Sequence, residues 1–184
     1  MLGQIYNVFL QGIDKINSID FFKSFTDNRF YLILLVVFFL HLKNATYRSM
    51  IMCALINIPG TILHELMHFI VGLVLNAQPR NFSIIPKRSD GGYVMGSVSF
   101  ANIAFYNAVP ASMAPLLLLP LGFYVNRYLL PLIEPTFLNY VLYVWMQTII
   151  IENAMPSKAD FKVAKMYFSG VVLYSLLAVL LFVM

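Results

Sequence analysis

From Ser49 to Asn76 the only acidic or basic side chains are His64, Glu65 and His68. Everything around them is apolar or small, as in "TILHELMHFIVGLVL" at 61–75. A run this long exceeds the ~20 residues a helix needs to cross a bilayer. It therefore constrains the chain to a membrane-spanning helix that carries ionisable groups near its middle. Each such group costs on the order of 2.5–3.5 kcal/mol to insert, so groups kept there mark function. The rest of the composition agrees. Charged residues make up 11% and hydrophobic residues 60% of the 184 positions, whereas a soluble domain averages about 25% charged. A net charge of +4, scattered along the chain, gives no basic patch for nucleic acid. The expected partner at this level is the lipid bilayer. Cys53 is the only cysteine, which excludes an intramolecular disulfide.

Hydropathy predicts an α-helical polytopic membrane protein with about five transmembrane helices and a small membrane-associated β-hairpin or sheet, all in one integral domain over 1–184. Residues 1–28 read as an interfacial segment, with Leu2, Ile5, Tyr6, Phe9, Ile13 and Ile16 at helical spacing between polar residues. No basic n-region precedes an unbroken apolar core there, so no cleavable signal peptide is expected. The spans fall at about 28–47, 49–76 (interrupted by Pro59-Gly60), 104–129, 136–155 and 167–184, with a polar ribbon at 79–100. In this arrangement nine of the twelve lysines and arginines share one side of the membrane: Lys15, Lys23, Arg29, Arg80, Lys87, Arg88, Lys158, Lys162 and Lys165. That side is expected to be cytoplasmic, with the N-terminus on it and the C-terminus opposite.

His64 and His68 lie one turn apart on one helix face, and two imidazoles so placed can share a zinc ion. Glu65 sits beside them and can move protons to and from a water at that metal. The competing reading is a pair of neutral histidines that bridge helices, with Glu65 paired to one of them. A third ligand has three candidates in the sequence: His41, Glu152 and Asp160. Ser157 and Asp160 also fit a capping box, which would make the aspartate a structural residue.

The ribbon joins two β-prone stretches, "NFSIIP" and "GYVMGSVSF", and Asp90-Gly91-Gly92 signals a hairpin turn. A peptide in a helix has its carbonyls hydrogen-bonded internally. Pairing it as an added strand along Tyr93, Val94, Met95, Gly96 and Ser97 would unwind it and expose a bond. The alternative is an amphipathic hairpin resting on the membrane surface. Gly96 allows either close backbone approach or a bend. Pro110, Pro115 and Pro120 punctuate the third span and predict either a flexible wall or a static kink.

These residues together resemble the site-2 protease family, the membrane-embedded zinc metalloproteases. "HELMH" lies in a span that runs toward the cytoplasm, "RNFSIIP" at 80–86 follows it, "PASMAPLLLLPLG" at 110–122 resembles the family's proline-containing third helix, and "ENAMPSKAD" at 152–160 resembles its Asn-x-x-Pro…Asp motif. The likeness covers about 49–166, the expected catalytic core. It implies zinc held by His64, His68 and Asp160, and Glu65 as general base and then acid. It also implies Asn153 at the substrate or the oxyanion, and single-span membrane proteins or membrane peptides as substrates. Asp160 stands one residue earlier than in the family motif, Phe161 replaces its glycine, and the third helix has only Ala114-Pro115 where the family has Gly-Pro…Asn. Two other readings stay open: a membrane zinc protease of another class with Glu152 as third ligand, and a non-catalytic protein that binds metal or a partner.

Overall fold

The computed structural model describes residues 2–16, 18, 20, 23, 29–46, 49–89 and 92–183. Among them the chain is mostly helical, with a small β-ribbon. In order it forms α1 (Leu2–Ile16), α2 (Arg29–Thr46), α3 (Met50–Val74), β1 (Pro79–Ser83), β2 (Lys87–Ser89), β3 (Gly92–Val94), β4 (Ser97–Phe100), α4 (Ala108–Ser112), α5 (Leu118–Tyr128), α6 (Phe137–Glu152), α7 (Lys158–Met166) and α8 (Phe168–Val183). Short 3₁₀ turns occupy Ala114–Leu117 and Leu130–Leu132. By contact the chain divides into one unit of residues 1–45 and 123–148 and another of 46–122 and 149–184.

Two stretches are long and apolar enough to cross a membrane, Met50–Val74 and Ala114–Leu132. Helices α7 and α8 make a third if counted as one span, although they meet at 90°. Phe30–Thr46 and Phe137–Glu152 are shorter apolar helices. In the first unit α1 leaves Ile5, Tyr6 and Phe9 exposed. Most of 17–28 lies outside the described residues. The same unit ties α5 to α6 through side chains. Tyr143 Oη donates to Asn126 Oδ1, and Gln147 Nε2 donates to Tyr143 Oη at 3.1 Å. Such bonds act as glue between helices where no water competes.

The second unit is built around α3. Its 25 residues rise about 37 Å, enough for a bilayer core with tilt. Pro59 lies inside the helix, so the interruption expected at Pro59-Gly60 does not occur. Losing one backbone donor does not break a helix whose other bonds are kept. The helix stops at Asn76, which takes a left-handed φ of 55°. Ala77 N then donates to Gly72 O at 2.7 Å and Asn76 N to Leu73 O at 3.2 Å, the Schellman pattern that satisfies the last carbonyls.

The third span, expected over about 104–129 with its prolines giving a flexible wall or a kink, is broken: α4 ends at Ser112 and a 3₁₀ turn intervenes before α5. Pro115, just past the end of α4, lacks the N–H that would continue the ladder to Ala111 O, whereas Pro110 lies inside α4. The ribbon also departs from a single hairpin. An inner pair β2–β3 and an outer pair β1–β4, both antiparallel, are separated by Ile84–Pro86 on one side and Met95–Gly96 on the other. Of the turn expected at Asp90-Gly91-Gly92, Asp90 and Gly91 lie outside the described residues and Gly92 begins β3. The ribbon lies along α3. Phe82 meets Phe69 edge-on at 6.1 Å, and the Phe100 ring lies against Gly72. Fully buried Asn107 fastens the chain that leaves the ribbon: its Oδ1 accepts from Ala104 N at 2.8 Å, and its Nδ2 donates to Asn102 O at 3.0 Å.

Candidate metal centre

One turn of α3 brings His64 and His68 onto a common face, with their Nε2 atoms 3.2 Å apart. Asp160 comes from the first turn of α7. Its Oδ1 lies 3.3 Å from His68 Nε2 and its Oδ2 lies 3.6 Å from His64 Nε2. Zinc bonds of about 2.0–2.2 Å make the edges of a tetrahedron about 3.3–3.6 Å long. The two distances to Asp160 fall in that range, and the 3.2 Å between the Nε2 atoms lies just below it. Among the described residues this is the group of histidines and carboxylates that could hold a metal ion.

The outer nitrogens decide the tautomers. His64 Nδ1 lies 2.8 Å from Asn153 O, and His68 Nδ1 lies 2.7 Å from Ala111 O. A carbonyl can only accept, so both Nδ1 atoms carry the proton. With both rings neutral, each turns an Nε2 lone pair toward the other and toward a carboxylate, a set that could hold a cation; with one ring protonated, the same distances fit N–H donation to the other ring and to Asp160. The donor set of two imidazoles and one carboxylate, each imidazole held by an outer hydrogen bond, suits zinc.

Asp160 is aimed by its helix end. Its Oδ2 accepts from Ser157 N at 2.7 Å and its N–H donates to Ser157 Oγ at 3.2 Å, a complete capping box. The capping and ligand readings therefore coincide in one residue. A box uses one lone pair of the carboxylate and leaves the others facing the histidines.

Glu65 is buried on the neighbouring face of α3, within electrostatic reach of both imidazoles and of Asp160. It meets the ribbon where the ladder is interrupted. A Cβ on Gly96 would lie 2.7 Å from Glu65 Cγ, 2.7 Å from Thr61 Cγ2 and 2.9 Å from Glu65 Oε1. A side chain there would force Glu65, Thr61 or the ribbon to shift. Of the other ribbon residues expected near substrate, Val94 and Ser97 are exposed, while Tyr93 and Met95 are half-buried. Gly96 and Met95 stand outside both strand pairs.

Asn153 is at the site, and both its side chain and its main chain have partners there. The amide donates to Ile149 O at 2.8 Å and packs directly on Gly60. Its main-chain carbonyl is what touches His64. Glu152 is exposed and outside the metal-competent group, and His41 is exposed on α2. Sequence reasoning named Gly60 only as part of the Pro59-Gly60 interruption, and did not single out Ala111 or the carbonyl of Asn153. The available signal was proline: Pro115 follows Ala111 by four residues, and Pro156 follows Asn153 by three.

Comparison with protein-family models, with curated proteins and with solved structures finds no match to this chain.

Proposed function

We propose that the protein is an intramembrane zinc endopeptidase that hydrolyses membrane-spanning or membrane-inserted polypeptides. The observation that carries this reading is the convergence of His64, His68 and Asp160 beside Glu65, inside an apolar helix long enough to cross a bilayer. His64 Nε2, His68 Nε2 and an Asp160 oxygen would hold the ion. Bound there, zinc supplies positive charge that polarises a carbonyl and acidifies water. Glu65 carries the proton. It takes one from the attacking water as the new C–O bond forms and delivers it to the amide nitrogen as the C–N bond breaks. The carboxylate ends as it began, and the products are one new carboxyl and one new amine terminus.

The gap in the ladder at Met95–Gly96 supports a substrate held as an added strand along Tyr93, Val94, Met95, Gly96 and Ser97. Strand pairing releases the substrate's carbonyls from their helix, and the close approach of Gly96 to Glu65 brings that strand to the proton carrier. Asn153 contributes through its carbonyl and its packing on Gly60. The membrane arrangement that goes with this reading has crossings by α2, α3, the broken α4–α5 segment, α6 and α8. In this reading the N-terminus is cytoplasmic and the C-terminus opposite, an orientation that the distribution of lysines and arginines supports.

The test uses purified protein in lipid vesicles with a membrane-spanning reporter. Glu65→Gln should keep about one zinc per chain and lose cleavage, because the carboxylate moves protons and does not bind the metal. Undiminished cleavage by this variant would overturn the protease reading.

A further inference from the structure

We infer that Pro115 and Pro156 are positioning residues of the metal centre: each leaves unclaimed the main-chain carbonyl that orients one histidine. The inference rests on the metal reading for its purpose but not for its test. In a helix the carbonyl of residue i accepts from the N–H of residue i+4. For Ala111 that position is Pro115, which has no N–H. The carbonyl is left for His68 Nδ1 at 2.7 Å. For Asn153, at the end of α6, the residue three along is Pro156, and the N–H four along, of Ser157, is taken by Asp160 Oδ2 at 2.7 Å. This carbonyl is left for His64 Nδ1 at 2.8 Å. Both prolines are buried. The same device recurs away from the metal. Pro110 stands four residues after Tyr106, whose carbonyl accepts from Tyr174 Oη at 2.5 Å.

The consequence is chemical. A carbonyl acceptor pins the proton on Nδ1 and presents Nε2 as a lone pair. The breaks in the α4–α5 segment and at the end of α6 therefore set the ligand state of the two rings. Serine, asparagine or carboxylate partners could do this only at the cost of further polar side chains in an apolar region. A main-chain carbonyl released by proline adds none.

The test reads tautomers directly. The chain has three histidines, His41, His64 and His68, so a protein labelled with ¹⁵N-histidine gives an assignable spectrum. In the metal-free protein, with the rings neutral, His64 and His68 should be Nδ1–H tautomers, whereas exposed His41 should show the free-imidazole mixture. Pro115→Ala restores an N–H that competes for Ala111 O. It should lower the Nδ1–H population of His68, leave that of His64 unchanged and weaken zinc binding by about tenfold or more, as loss of outer hydrogen bonds does. Pro156→Ala should do the converse. A general loss of structure would move both rings alike, and that result overturns the inference. So does an unchanged His68 in Pro115→Ala, or an Nε2–H tautomer for either ring in the unaltered protein, which needs no variant at all. Nδ1–H tautomers in a protein that takes up no zinc would uphold the role of the prolines and refute the metal centre instead.

Discussion

Glu152 ends α6 and Asp160 lies in the first turn of α7, and the two carboxylates divide the ligand question between them. Asp160 oxygens lie 3.3 and 3.6 Å from the two Nε2 atoms, whereas Glu152 is exposed and outside the group. Asp160→Asn should therefore weaken zinc binding by about tenfold or more while Glu152→Gln leaves it nearly unchanged. Metal analysis of both purified variants checks this; zinc kept by the first and lost by the second would transfer the site to Glu152. Gly96 poses the companion question for the proton carrier. A methyl group at that position would stand 2.7 Å from both Glu65 Cγ and Thr61 Cγ2, so either the ribbon or the carboxylate must shift. Misplacement by about 1 Å can cost ~100-fold in rate. Gly96→Ala is expected to lower kcat by at least about tenfold with zinc content unchanged, and Thr61→Ser, which deletes one of the colliding methyls, should recover part of it. Equal turnover by Gly96→Ala and the unaltered protein would show that Glu65 does not work against the ribbon.

At the scale of elements, the short helix α7 performs two tasks from one end. Its capping box ties Ser157 to Asp160 and so fixes the angle at which the carboxylate reaches α3. Ser157→Ala should cost about 1 kcal/mol of stability, as caps generally do. If the box also aims the ligand, the loss of thermal stability should be larger with zinc present than after chelation, because the bound ion stabilises only a folded site. Thermal denaturation under both conditions measures the difference. Equal losses would reduce the box to a cap. The elements also show what the sequence could and could not convey. The spacing of His64, Glu65 and His68 was readable because helical periodicity is a local rule, and so was the Ser157–Asp160 box. The break at Met113 and the survival of α3 through Pro59 were not, since the same residue type gave opposite outcomes. The carbonyl of Ala111 that Pro115 leaves open is taken by a histidine forty-three residues away in sequence, a partner that no local rule reveals. The ribbon's division at Met95–Gly96 was hidden likewise, because it depends on how closely α3 passes.

For the whole molecule, the site requires that its parts approach α3 from compatible sides. The ribbon leaves the C-terminal end of α3 and returns along it, with Phe100 on Gly72 and Gly96 on Glu65. Helix α7 brings Asp160 to the same stretch of α3, between Thr61 and His68. Lys87 in the ribbon and Lys158, Lys162 and Lys165 on α7 are exposed. Positive side chains are held on the cytoplasmic side of a membrane protein. The ribbon and α7 should therefore face one compartment, and the short connection between α2 and α3 the other. Single cysteines at positions 87, 158 and 44, in a chain whose buried Cys53 is replaced by alanine, can be labelled with a membrane-impermeant maleimide. Positions 87 and 158 should react together from the cytoplasmic side, and position 44 only when the opposite face is opened. Labelling of 87 and 158 from opposite faces would be incompatible with Asp160 and the ribbon converging on one stretch of α3. It would dismantle the five-crossing arrangement and the proposed centre together.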